Sequence, residues 1–181
     1  MVLQMGKIPP FEFMNYLSSL YNDCCDLLFY KDIHQCWYHK GIEGISTSIK
    51  ETADYLERKI NRQPEKQYEK VIFMGTSAGG YAAILFGSLC KANYVISFKP
   101  QTILNNAINK EYSNLKNIIN PDTNYLVFAS NCDIGLHDIY HCKNIQEWKN
   151  NVKVIAKKNI NLKEMRDKGV IKKIIDEIIH N

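Results

Sequence analysis

The feature that most constrains this chain is a set of short, largely apolar runs at residues 2–5, 26–30, 70–74, 94–98, 125–129 and 152–156. A strand with one wet face alternates apolar and polar residues, so runs without alternation belong to strands covered on both faces. The stretches between them read as helices. Pro9-Pro10 opens an amphipathic segment through Leu20, and Ile45, Ile49, Ala53, Leu56 and Ile60 fall at helical spacing. Residues 78–90 are apolar nearly all round, 104–119 carry Leu104, Ile108, Leu115 and Ile118 on one side, 138–148 form a short helix, and 162–179 place Ile171, Ile174, Ile175 and Ile178 inward. Strands alternating with helices predict an α/β three-layer sandwich of about six mostly parallel strands, with right-handed crossovers. The 181 residues suit one domain spanning 1–181.

Composition excludes several classes. At 45% hydrophobic and 23% charged, the chain has enough apolar surface for a core and is not disordered. No apolar run approaches the roughly 18 residues of a membrane span, so no membrane partner is expected. A net charge of +4 is too mild to argue for nucleic acid, and the basic residues of 143–173 read as a solvated helix face. The cysteines Cys24, Cys25, Cys36, Cys90, Cys132 and Cys142 contain no C-x-x-C pair and no zinc spacing. With no secretory leader in 1–11, they read as reduced thiols of a cytoplasmic protein.

Directly after the run at 70–74 comes Gly75-Thr76-Ser77-Ala78-Gly79-Gly80, and then the apolar helix. This is G-x-S-x-G in the strand–turn–helix setting the motif requires. A sharp turn of this kind strains the serine backbone and needs small neighbours. It lifts the Ser77 hydroxyl above the sheet edge and aims the Ala78 N–H, at a helix N-terminus, at the same point. Phosphate-binding loops are excluded by spacing, because neither G-x-x-x-x-G-K-[ST] nor G-x-G-x-x-G is present.

The segment from Gly75 to Gly87, with Ser97-Phe98-Lys99-Pro100-Gln101-Thr102 after the next strand, resembles the α/β-hydrolase superfamily. More narrowly, the chain is similar to small hydrolase-like proteins associated with polysaccharide or glycan biosynthesis. Lys31-Asp32 and Trp37-Tyr38 match a further segment of that group. The likeness implies a minimal α/β-hydrolase fold lacking the first one or two strands. It also implies a serine esterase or acyl hydrolase acting on an acylated glycan or small ester, without cofactor or metal. Ser77 would be the nucleophile, with the oxyanion held by the Ala78 N–H and a backbone N–H near Gly6. Asp133 stands where the acid belongs, with Asp138 as alternative; Asp138 and His141 match a D-x-x-H pair whose role is structural. Gln101 would line the pocket. Trp37 and Tyr38 are either a sugar-stacking platform at its rim or half-buried core aromatics.

The base is the gap. Relatives carry histidine after the last strand, where this chain has Asn159 and Ile160. Neither accepts a proton usefully, and a serine without a base is a weak nucleophile. Three alternatives remain: His137 serves from the acid loop, His34 or His39 reaches across, or the chain is a degenerate hydrolase that binds without turnover. A metal gathered by His34, His39, His137 and His141 is not expected, since their spacing across loops is not that of a metal site.

Overall fold

A computed structural model describes residues 2–5, 13–61, 68–130, 141, 144, 148, 151–157 and 160–180. Its strands are β1 (Val2–Met5), β2 (Phe29–Asp32), β3 (Ile72–Thr76), β4 (Tyr94–Phe98), β5 (Asn124–Ser130) and β6 (Val152–Lys157). Its helices are α1 (Met14–Tyr21), α2 (Ile49–Asn61), α3 (Ala78–Leu89), α4 (Leu162–Asp167) and α5 (Val170–His180). The strands pair in the order β2-β1-β3-β4-β5-β6, and every pairing is parallel. The expected α/β class, a parallel sheet flanked by helices, is what the chain adopts.

Neighbouring residues of one strand feed different cores, which is why the strands read as largely apolar runs. Phe73, Val95 and Val127 join α2 and α3 on one face. Met74, Ile96 and Phe128 join α1, α4 and α5 on the other. The apolar helix α3 is buried from Ala78 through Ser88. Its one strongly polar side chain within the sheet-facing layer, Ser88, bonds back to Ile84 O and across to Tyr125 Oη, each at 2.7 Å. At α2, Ser48 Oγ accepts the Glu51 N–H at 3.2 Å, and the Glu51 carboxylate accepts the N–H and hydroxyl of Thr47 at 2.8 Å. These bonds start the helix one turn after Ile45, which lies outside it and is exposed.

Three expectations are corrected. Residues 104–119 do not form a helix: they fold as two short 3-10 turns, Lys110–Tyr112 and Leu115–Asn117. Asn109 and Asn114 open these turns by accepting the N–H two residues on, a local bond that competes with helix propagation. The second strand begins at Phe29 rather than at residue 26 and ends on Asp32. The closing helix is two helices, broken at Gly169 with φ of 70°. Most of the helix expected over 138–148, and the Pro9-Pro10 start, lie outside the described residues. No helix among the described residues is long and apolar enough to cross a membrane.

Candidate active site

The sheet order dictates where a site can form. From β1 the chain moves outward to β2, then returns and runs from β3 to β6 in the opposite direction. The reversal lies between β1 and β3, and in open parallel sheets the crevice beyond the carboxyl ends of such strands is the ligand position. Ser77 stands there, as the first residue after β3.

Ser77 has φ of 53° and ψ of −117°, a conformation that costs an L-residue of order 1–3 kcal/mol. Its N–H donates to Phe98 O at 2.9 Å, which ties the turn to the end of β4. The residue is exposed, and its side chain does not cap α3. A serine at this position ordinarily spends its oxygen on the first helical N–H groups. Here the hydroxyl is left for other work, and the N–H groups that open α3, beginning with Ala78, keep their donors. One close approach beside the turn falls at Gly80. A Cβ there would lie 2.7 Å from Ser97 Oγ and 3.1 Å from Phe98 O.

Beside the elbow lies the 33–41 loop, organised by Asp32. That carboxylate is fully buried and accepts the N–H groups of Cys36 at 2.7 Å and Tyr38 at 2.9 Å. The bonds hold Gln35, Trp37 and Tyr38 at φ of 50°, 55° and 62°. The K-D…W-Y spacing carried the only sequence signal of this device, because burial of Asp32 depends on donors from its own loop. Trp37 Nε1 donates to Gln101 Oε1 at 2.6 Å, so two expected substrate-binding residues are joined to each other. The Gln101 amide oxygen is thereby committed, and its NH2 group supplies the remaining donors. Tyr38 is corrected: its side chain is fully buried, edge-on to Phe86, with its hydroxyl donating to Tyr30 O at 3.1 Å. It cannot stack on a sugar.

The histidines separate in the same way. His39 Nδ1 accepts the Asn109 N–H at 3.0 Å, and its Nε2 lies 3.0 Å from Tyr81 Oη. The Tyr81 hydroxyl donates to Tyr112 O at 2.7 Å, so Nε2 carries the proton that Tyr81 accepts. Burial lowers the His39 pKa, against the pull of nearby Asp32, and both ring nitrogens of the neutral ring are committed. His39 is a structural link and is corrected as a candidate base. His141 is buried, and its Nδ1 accepts the Thr102 N–H at 3.1 Å and lies 3.3 Å from the Ile103 N–H donor. His34 is exposed. Gly6, Asp133, His137, Asp138 and Asn159 lie outside the described residues. Ile160, 4% exposed, packs into the core with Met165 rather than facing the sheet edge. Of the two positions at which the resemblance would place a base, Ile160 is therefore built here as core.

Among the described residues no group of three or more His, Cys, Asp and Glu side chains could hold a metal. A cavity of about 630 Å³ lies at the opposite, amino edge of the sheet, lined by residues that include Cys24, Cys25, Tyr68 and Lys70. It lies at the other edge of the sheet from Ser77. No protein-family model matches the chain, and no curated protein matches it.

Proposed function

We propose that the protein is a serine hydrolase of the α/β-hydrolase kind, acting as an esterase or acyl hydrolase on an acylated glycan or small ester. One observation carries the reading: Ser77 is exposed and left-handed, at the carboxyl end of β3, and leaves the N-terminus of α3 uncapped. In this reading Ser77 Oγ attacks the acyl carbonyl, and the alkoxide or alcohol leaves from the tetrahedral intermediate. The Ala78 N–H and a backbone N–H near Gly6 hold the oxyanion. With His39 committed, His137 oriented by Asp133 is the base, and Trp37 with Gln101 forms the wall of the substrate site. The position of β3 between β1 and β4 supports the resemblance to the superfamily.

A second reading, a binding protein without turnover, is favoured by the buried Ile160. Reaction with a fluorophosphonate separates the two. Covalent labelling that is lost in Ser77→Ala and in His137→Ala is expected of the hydrolase. Wild-type protein that stays unlabelled, and leaves p-nitrophenyl acetate unhydrolysed, means that the serine is not activated and the binder reading stands.

A further inference from the structure

Cys24 and Cys25 sit in the turn after α1, at the amino edge of the sheet and away from the elbow. Consecutive side chains point to opposite faces in a strand and do not face each other in a helix. Here they converge, with the two sulfurs 3.7 Å apart. The turn is what brings them together. The N–H groups of Cys24 and Cys25 both donate to Tyr21 O, at 3.1 and 2.8 Å, and the Cys24 thiol lies 3.6 Å from the same oxygen. Tyr21 is itself fixed, buried in the core with its hydroxyl on Asp176 at 2.8 Å and Lys172 O at 3.2 Å. The thiol pair is thus held in contact by a turn anchored to α5, and it opens on the 630 Å³ cavity.

We propose that Cys24 and Cys25 form a thiol–disulfide exchange site whose co-reactant is a small linear disulfide such as oxidised glutathione. Cys24 is the exposed member and reacts first. Its thiolate attacks one sulfur of R–S–S–R, the S–S bond breaks, and RSH leaves with the proton Cys24 gave up. Cys25 then attacks Cys24 Sγ, the mixed disulfide breaks, and the second RSH leaves with the Cys25 proton. Two thiols are oxidised by two electrons, and one disulfide is reduced to two thiols. The pair differs from the other described cysteines, since Cys90 lies against Ala53 O with burial pushing its thiol up to about 12, and Cys36 lies 4.0 Å from the buried Asp32 carboxylate. Burial, then the bond to Cys24, pushes the Cys25 thiol up to about 11. The bond to Cys24 is lost once Cys24 is in the mixed disulfide.

Geometry also sets the character of the product. Ordinary disulfides span Cα atoms roughly 4.4–6.8 Å apart, whereas adjacent residues across a trans peptide are about 3.8 Å apart. The Cys24–Cys25 disulfide is therefore strained, and strained disulfides are readily reduced again. The site cycles; it does not lock.

The test treats the reduced full-length protein with oxidised glutathione and reads intact mass and peptide maps. Expected is loss of two hydrogens in the peptide holding Cys24 and Cys25, with no glutathione retained and full reversal by reduced glutathione. Cys25→Ser should trap glutathione on Cys24, and Cys24→Ser should slow reaction in that peptide by about tenfold or more. Glutathione retained on wild-type Cys24, oxidation confined to other cysteines, or Cys24→Ser reacting at the wild-type rate would each overturn the proposal.

Discussion

The α3 helix and the 33–41 loop touch at Tyr81 and Phe86, and they are held in place by opposite means. The helix is gripped by apolar surface on every side and admits neighbours by omitting side chains: a Cβ on Gly87 would lie 2.3 Å from Val95 Cγ2. The loop holds its shape through a single buried carboxylate and a relay of bonds from His39 through Tyr81 to Tyr112. Packing of the first kind resists any added volume and ignores pH. The second kind tolerates changes of volume and fails when one acceptor or one proton is changed. Between them sits Ser77, a residue whose own backbone opposes the fold.

The largest effect should come from filling the helix contact. Gly87→Val should destabilise the protein by about 3 kcal/mol, read from chemical denaturation, because the added side chain would collide with the buried Val95. Combining it with Val95→Ala should recover part of that loss. Recovery of none of it would mean that the helix, and not the contact, sets the cost. Next, Asp32→Ala should cost about 2 kcal/mol by removing the bonds that its carboxylate accepts from the Cys36 and Tyr38 N–H groups. Asp32→Asn keeps an oxygen there and should cost less; equal costs would contradict the carboxylate's role as acceptor. Ser77→Gly should act in the other direction, stabilising by about 1 kcal/mol through relief of the left-handed backbone while abolishing fluorophosphonate labelling.

The smallest effect is confined to acid. Burial lowers the His39 pKa, so the folded state favours the neutral ring. The stabilisation is complete above the unfolded value of about 6.5 and is lost as pH falls through the lower folded-state value. His39→Gln should flatten the decline in stability between about pH 7 and pH 5. An unchanged decline would assign it to other groups.

The strained turn at Ser77 was legible because its signal is local. Gly75 to Gly80 after an apolar run, followed by a helix apolar all round, leaves few other structures. The strands were legible for a related reason: both faces are covered, so Val95 and Ile96 are apolar for different cores. What escaped the sequence depends on distant donors or on local competition. Asp32 looks like any surface aspartate until its loop folds back to supply two N–H groups. Leu104, Ile108 and Leu115 have helical spacing, yet Asn109 and Asn114 divert the backbone, and Ile108 ends up exposed. Ile160 stands at one of the two positions where the resemblance would put a histidine, but the burial of its side chain was not legible.

The place of β1 in the sheet has a consequence for how the molecule comes into being. It is translated before both of its neighbours, and it must lie between them, with Val2 paired to Phe29 on one side and to Met74 on the other. A hairpin would close within a few residues, but here the ribosome has to deliver β3 before the centre of the sheet can zip. Contacts of such long sequence separation slow folding, and until they form the nascent β1–β2 pair has an open, sticky edge. A cut that removed β1 would not trim the margin of this protein. It would divide the sheet, stranding β2 and the Asp32 loop from the helix they brace.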